Sequence, residues 1–284
     1  AFGLSVAGLN LLPWPIVAGL VAVGSISMTL YVMHARRTGS PVLDFSLLRL
    51  STMRASIIGG FLFRLGIGAL PFLLPLLMQE GFGLSPFQSG LVTFASAVGA
   101  MGMKTLAARI IRAFGFRNMM TVNAVVSAVF LAACALFTVT TPLLLIFIIL
   151  VVGGFFRSLQ FTAINTVAYA EVEPAQMSRA TTLVSVNQHP ALSDGVAVGA
   201  FSVESTMLYQ HVTELNAGVF PPAFLVVAII SAVSAWFFWQ MPDDAGHEIS
   251  GRKAVEISSR KGAEKAATKA ASEGTEDARD QRLG

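Results

Sequence analysis

Charge is scarce in this sequence. Only 12% of its 284 residues are Asp, Glu, Lys or Arg, against about 25% in a soluble globular domain. So few charges cannot clothe a water-facing surface, which sets soluble domains aside. Nucleic acid is not an expected partner, because the arginines sit at the edges of apolar runs and no soluble basic domain accompanies them. Cysteine is nearly absent. Cys134 stands alone, so one chain forms no disulfide and no thiolate metal site; in its apolar run it reads as a small hydrophobe. Nucleophile-elbow, HExxH and P-loop patterns are missing, so neither an enzyme nor a metal or cofactor site is expected. A leading Met and a basic n-region are missing too. No signal peptide is expected, and the sequence reads as cut from something longer.

Apolar residues fill the space that charge leaves. They make up 54% of the chain, and the mean hydropathy is +0.69. The expected fold class is all-α: a polytopic helical membrane bundle. Residues 1–10 read as the end of one helix. Full spans follow over residues 11–33, 55–78, 85–108, 118–137, 142–166, 180–208 and 220–240. Ser85, Pro86 and Gln88 form a capping box that starts the third span. Between the first two spans, Leu43, Leu47 and Leu50 lie opposite Ser46 and Arg49, which predicts an amphipathic helix on the membrane face. The chain divides into 1–40, 41–54, 55–241 and 242–284. The last segment has nine acids against eight Lys and Arg with little to bury, and is expected to be a disordered cytoplasmic tail.

Lys and Arg orient the spans. The loops after spans one, three and five carry Arg36, Arg37, Arg49, Arg54, Arg109, Arg112, Arg117 and Arg179, whereas those after spans two, four and six carry none. This puts the chain's start outside and its tail in the cytoplasm of a cell membrane. Arg109, Arg112 and Arg117 crowd around Gly115. They form either an anchor at the membrane edge or a gating loop that ion-pairs across the bundle.

The fifth span holds the most informative stretch, Gly153 to Thr166. Its Arg157 cannot shed its charge, and hydrocarbon penalises it by about 3 kcal/mol or more. Ser158, Thr162 and Asn165 share one helix face, with Gln160 nearby. Gly59-Gly60-Phe61-Leu62-Phe63-Arg64 echoes Gly153-Gly154-Phe155-Phe156-Arg157 in span two. Both arginines come out roughly 14 Å from the cytoplasmic side at ~1.5 Å per residue, on the first helices of two oppositely directed three-helix units. The expected substrate-cavity set is Arg64, Arg157, Ser158, Gln160, Thr162 and Asn165; the alternative is arginines satisfied by backbone carbonyls. Asp194 in span six is either a proton- or cation-coupling group, an ion-pair partner of an arginine, or a carboxyl kept protonated. Gly195 and Gly199 offer a close-approach face, and His189 before Pro190 marks a kink.

Leu12-Pro13-Trp14-Pro15, Pro41-Val42-Leu43-Asp44, Gly59 to Leu77, Gly83 to Leu91, Lys104 to Arg117 and Gly153 to Asn165 together resemble the major facilitator superfamily. The similarity is to the C-terminal half of its fourteen-helix drug:proton antiporter branch, over about residues 1–240. Gln188-His189-Pro190 departs from the branch's pattern. The resemblance implies a linker helix followed by a C-terminal six-helix bundle, with the N-terminal transporter half missing from this chain. It also implies proton-coupled efflux of amphipathic small molecules by alternating access, with the bilayer, a small-molecule substrate and protons as partners. The competing readings are a seven-span receptor or scaffold and an inactive truncated fragment.

Overall fold

The computed structural model describes residues 14–35, 43–243 and 245–246, and every regular element there is helical. The expectations for residues 1–13, for Arg36 and Arg37, and for the tail from 247 onward lie outside the described residues. Helix α1 spans Trp14–Ala35. A 3₁₀ turn, Phe45–Arg49, leads into α2, Ser51–Gly81. Then come α3, Pro86–Phe114; α4, Phe116–Ala133; α5, Leu143–Val167; α6, Met177–Gln210; and α7, Phe220–Trp239.

Local chemistry sets several ends. Ser85 caps α3 through a complete capping box with Gln88, and Pro86 takes the first turn, where its missing N–H costs nothing. Gly115 joins α3 to α4 at φ +75°, a conformation that strains any residue with a Cβ. The α6 helix runs through Pro190 without ending.

Among the described residues, five helical stretches are long and apolar enough to cross a membrane: Ser51–Gly81, Pro86–Phe114, Phe116–Leu136, Leu143–Val167 and Ala217–Trp239. Their outer faces fit lipid. Val122, Val125 and Val129 on α4, and Ile229, Val233 and Trp236 on α7, are exposed at helical spacing. In water such belts would drive aggregation. Helix α6 has 34 residues, about 51 Å at 1.5 Å per residue. Its polar residues keep it below the hydropathy of the other five, yet it packs along α2 and α7 inside the bundle.

Backbone contact organises the interior. A Cβ on Gly154 of α5 would lie 2.1 Å from the Ser96 carbonyl oxygen of α3, and one on Gly99 of α3 would lie 1.8 Å from that of Val151. The α2–α6 crossing repeats the device: Gly195 faces the Leu65 carbonyl at 2.2 Å, and Gly68 faces that of Leu192 at 2.6 Å. Helix α7 seals the opposite side of α2 and packs on α4, with Phe220, Phe224 and Phe238 fully buried.

The linker corrects one expectation. Its apolar residues do not form an amphipathic α-helix. Phe45–Arg49 form the 3₁₀ turn, with Leu43 and Leu50 flanking it, and Leu47 and Met53 are buried against Ala168, Val172, Ala180, Leu183 and Val184. Polar contacts hold this packing in place. Asp44 Oδ1 accepts from the Ser46 amide at 3.0 Å and Oδ2 from Arg179 at 3.3 Å. Ser51 donates to Glu171 at 2.8 Å, placing a carboxylate at the N-terminus of α2, where the helix dipole favours it.

The Ser46 hydroxyl, with the Ser46 amide and Arg179 adding to it, holds the Asp44 carboxyl below its ordinary value of 3.8 against the opposing effect of burial. A lowered folded value means that this anchoring is complete above the ordinary value and is lost as pH falls through the folded one. Amide protection over residues 45–50, measured by hydrogen exchange, is therefore expected to fall below pH 4. Asp44→Ala should lower it at neutral pH about fivefold, the effect of losing a cap worth ~1 kcal/mol.

Candidate functional site

Two polar clusters join the helices, the first reaching from buried Arg64 out to exposed Asn165 and the second buried. In the first, Arg64 of α2 is 2% exposed. Its Nη2 donates to Asn165 Oδ1 of α5 at 2.7 Å, and Gln188 of α6 donates to the same oxygen at 2.8 Å. The Arg64 guanidinium also lies over the Phe161 ring, 5.8 Å from its centroid. In the second, Asn123 of α4 donates to Gln160 Oε1 at 2.7 Å and to the Phe156 carbonyl at 2.9 Å, and Gln160 donates to the Met120 carbonyl at 3.1 Å. Both side chains are buried, so this network ties α4 to α5.

Between the α3–α5 and α2–α6 crossings lies a cavity of about 780 Å³, within the usual range for small-molecule sites, ~300–1,000 Å³. Ile67, Leu70 and Leu74 of α2, Leu150 and Phe161 of α5, and Leu192 of α6 give it an apolar wall. Arg157, Thr93, Ser96, His189 and Ser193 are its polar members. Arg157 is the fifteenth of the 25 residues of α5 and so sits near mid-helix. Its other side borders a small space of about 20 Å³ shared with Cys134 and Ser127. Among the described residues the ion pairs are Arg117–Asp243 and Arg179–Asp44, and Arg157 belongs to neither.

The structure separates the residues that the sequence grouped. Arg157 lines the cavity; Arg64 does not, so the two guanidiniums do not face it together. Gln160 points into the α4–α5 contact. Ser158 donates to the Ala100 carbonyl of α3 at 3.0 Å, and Thr162 donates to its own helix at the Ser158 carbonyl. Asn165 is the acceptor that satisfies Arg64. Asp194 pairs with neither arginine, and its Oδ1 is buried without a hydrogen-bond partner. Around Gly115, Arg109 is exposed and Arg112 bonds its own helix at Ala108. Arg117 reaches the Trp239 carbonyl at 2.9 Å and pairs with Asp243. In the sequence His189 marks only a kink, and Thr93 and Phe161 carry no role. His189 was visible there as a titratable residue inside a span, whereas Thr93 and Phe161 carry no local sign of facing a cavity.

Membrane-length apolar helices around a ligand-sized, half-open, part-polar cavity define a polytopic membrane protein. The profile of the Major Facilitator Superfamily matches residues 56–277, well over half of the chain, and the chain belongs to that superfamily of membrane transporters. Related proteins include MdtD, described as a candidate multidrug resistance protein, from Escherichia coli O139:H28 (strain E24377A / ETEC), E. coli strain K12 and Shigella boydii serotype 18 (strain CDC 3083-94 / BS512). Each is 30% identical over 254 residues, covering 86% of this chain and 51% of the relative. The chain therefore spans about half the length of these relatives.

Proposed function

We propose that this chain forms one bundle of a two-bundle secondary transporter that exports amphipathic small molecules by alternating access. The observation that carries the reading is the cavity at Arg157: an apolar chamber with one fixed charge, walled by four helices that cross in two close-packed pairs. Rigid pairs of this kind can rock as units around a bound molecule. Multidrug resistance, the role suggested by the relatives' name, is in keeping with an apolar chamber of this size. In this reading Arg157 contacts substrate directly. Arg64, Asn165, Ser158 and Gln160 set the positions of α2, α3, α4 and α5 around it, while Thr162 bonds within α5. Asp194 is the proposed coupling site, where a proton would be taken up and released during the cycle. The Arg117–Asp243 contact would brace the cytoplasmic end of the Gly115 turn.

The test is to fill the chamber. In the two-bundle transporter, Val196→Trp puts an indole into the cavity from α6. Export of an amphipathic drug is expected to fall by tenfold or more while the amount of protein in the membrane stays near wild type. Undiminished export by this variant would remove the cavity from the transport path.

The proposed topology places the Arg-rich ends in the cytoplasm. Thr140→Cys and Glu214→Cys should react with an impermeant thiol reagent added outside intact cells, and Phe114→Cys only after lysis. Labelling of Phe114→Cys from outside would invert the orientation.

A further inference from the structure

We propose that the cavity takes amphipathic organic anions, an aromatic or alkyl body bearing one carboxylate, sulfonate or phosphate, with the anionic group on Arg157 and the body along α2 and Phe161. This rests on the cavity being the substrate site and specifies the charge of what enters it. Arg157 remains cationic at any physiological pH. No carboxylate pairs with it among the described residues, and no Asp or Glu lines the cavity. Arg64 lies behind Phe161, so a second guanidinium raises the potential of the same wall. Its hydrogen-bond acceptor, Asn165, is neutral and cancels none of that charge. Asp194 neither lines the cavity nor pairs with either arginine. Arg157 is only partly exposed, so its unpaired charge is incompletely hydrated, and a ligand anion relieves it through short charge-assisted, often bidentate hydrogen bonds. A cationic ligand would instead meet two like charges across an apolar wall.

The apolar lining sets the rest of the ligand. Ile67, Leu70, Leu74, Leu150 and Leu192 offer no hydrogen bonds, so a small hydrophilic anion would lose its hydration there without replacement. An anion with a large apolar body replaces that loss by burial.

Three ligands with one ring system test the charge: 2-naphthoate, 2-naphthamide and 2-naphthylmethylammonium. Binding to the two-bundle transporter in nanodiscs of zwitterionic lipid is measured by equilibrium dialysis against empty discs. The expected order is naphthoate tightest and the ammonium weakest. Arg157→Gln should weaken naphthoate by about tenfold, the value of a charge-assisted hydrogen bond, and leave naphthamide unchanged. Arg157→Lys should retain part of the preference, which guards against a variant that merely unfolds. Equal binding of all three, a preference for the ammonium, or an equal loss of naphthoate and naphthamide in Arg157→Gln overturns the proposal. Val196→Trp separates the two readings. If it blocks naphthamide while charge makes no difference, the cavity stands and the anion preference falls. If naphthamide binding survives it, or if no ligand binds the wild type, the cavity reading falls and takes the anion preference with it.

Discussion

Gly154→Leu is expected to abolish most of the folded protein. At Gly154 even a Cβ would stand 2.1 Å from the Ser96 carbonyl oxygen, and Gly99 opposes the Val151 carbonyl at 1.8 Å. Both obstacles are backbone, which cannot rotate aside, so α3 and α5 would have to separate along their shared length. Ordinary overpacking costs about 1–3 kcal/mol because side chains can rearrange; here the helices themselves must move, and the loss should exceed that range. The control lies in α3. Nothing comes within 4 Å of a Cβ at Gly102, where leucine also improves helix propensity by up to ~1 kcal/mol. In size-exclusion chromatography of detergent-solubilised chain, Gly102→Leu should elute as a monodisperse peak near wild-type yield and Gly154→Leu should not. A normal peak for Gly154→Leu would mean that the crossing is not close-packed.

The legible and illegible parts of this molecule divide by the range of the interaction. The start of α3 was readable because Ser85, Pro86 and Gln88 act within one turn. Five of the seven expected spans were readable among the described residues because the bilayer sets their length and apolarity, and the Gly195–Gly199 pair advertised a close face that the structure sets against Leu65 and Ala69. The linker was misread because Leu43, Leu47 and Leu50 make the same pattern whether they face lipid or protein. What decided between the two was Asp44, held by Arg179 from 135 residues away. The polar stripe on α5 identified an unusual helix but not its partners. Ser158 found α3, Gln160 found Asn123 on α4, and Asn165 found Arg64 on α2, each contact spanning at least 37 residues. The two arginine motifs look alike in sequence and differ in use for the same reason. Gly60 makes room for the folded-back Arg64 guanidinium and for Ile164, whereas Gly154 makes room for the backbone of α3 and leaves Arg157 to the cavity.

That difference predicts a sharp asymmetry around Arg64. Asn165→Leu should destabilise the chain by about 1.5–2 kcal/mol: the buried Arg64 guanidinium loses a charge-assisted bond and keeps its charge, while Asn165 itself is exposed, so water replaces part of the loss. Arg64→Met should cost far less than Asn165→Leu, since it removes the charge along with the bond and leaves an unbranched apolar chain beside Phe161. The double substitution should resemble Arg64→Met alone, because Asn165 stabilises the interior chiefly by answering Arg64. Thermal unfolding in detergent reads all three. Asn165→Leu is expected to lower Tm by roughly 5 °C or more, and the double variant to recover most of that loss, a coupling well outside the few tenths of a kcal/mol seen between independent sites. Additive losses would show that Arg64 draws its stabilisation from elsewhere. Naphthoate binding adds a second readout. Removing Arg64 leaves Arg157 in place and should weaken the anion by less than Arg157→Gln does, since Arg64 acts on the cavity only through its field across Phe161. A loss as large as that of Arg157→Gln would place Arg64 in direct contact with the ligand.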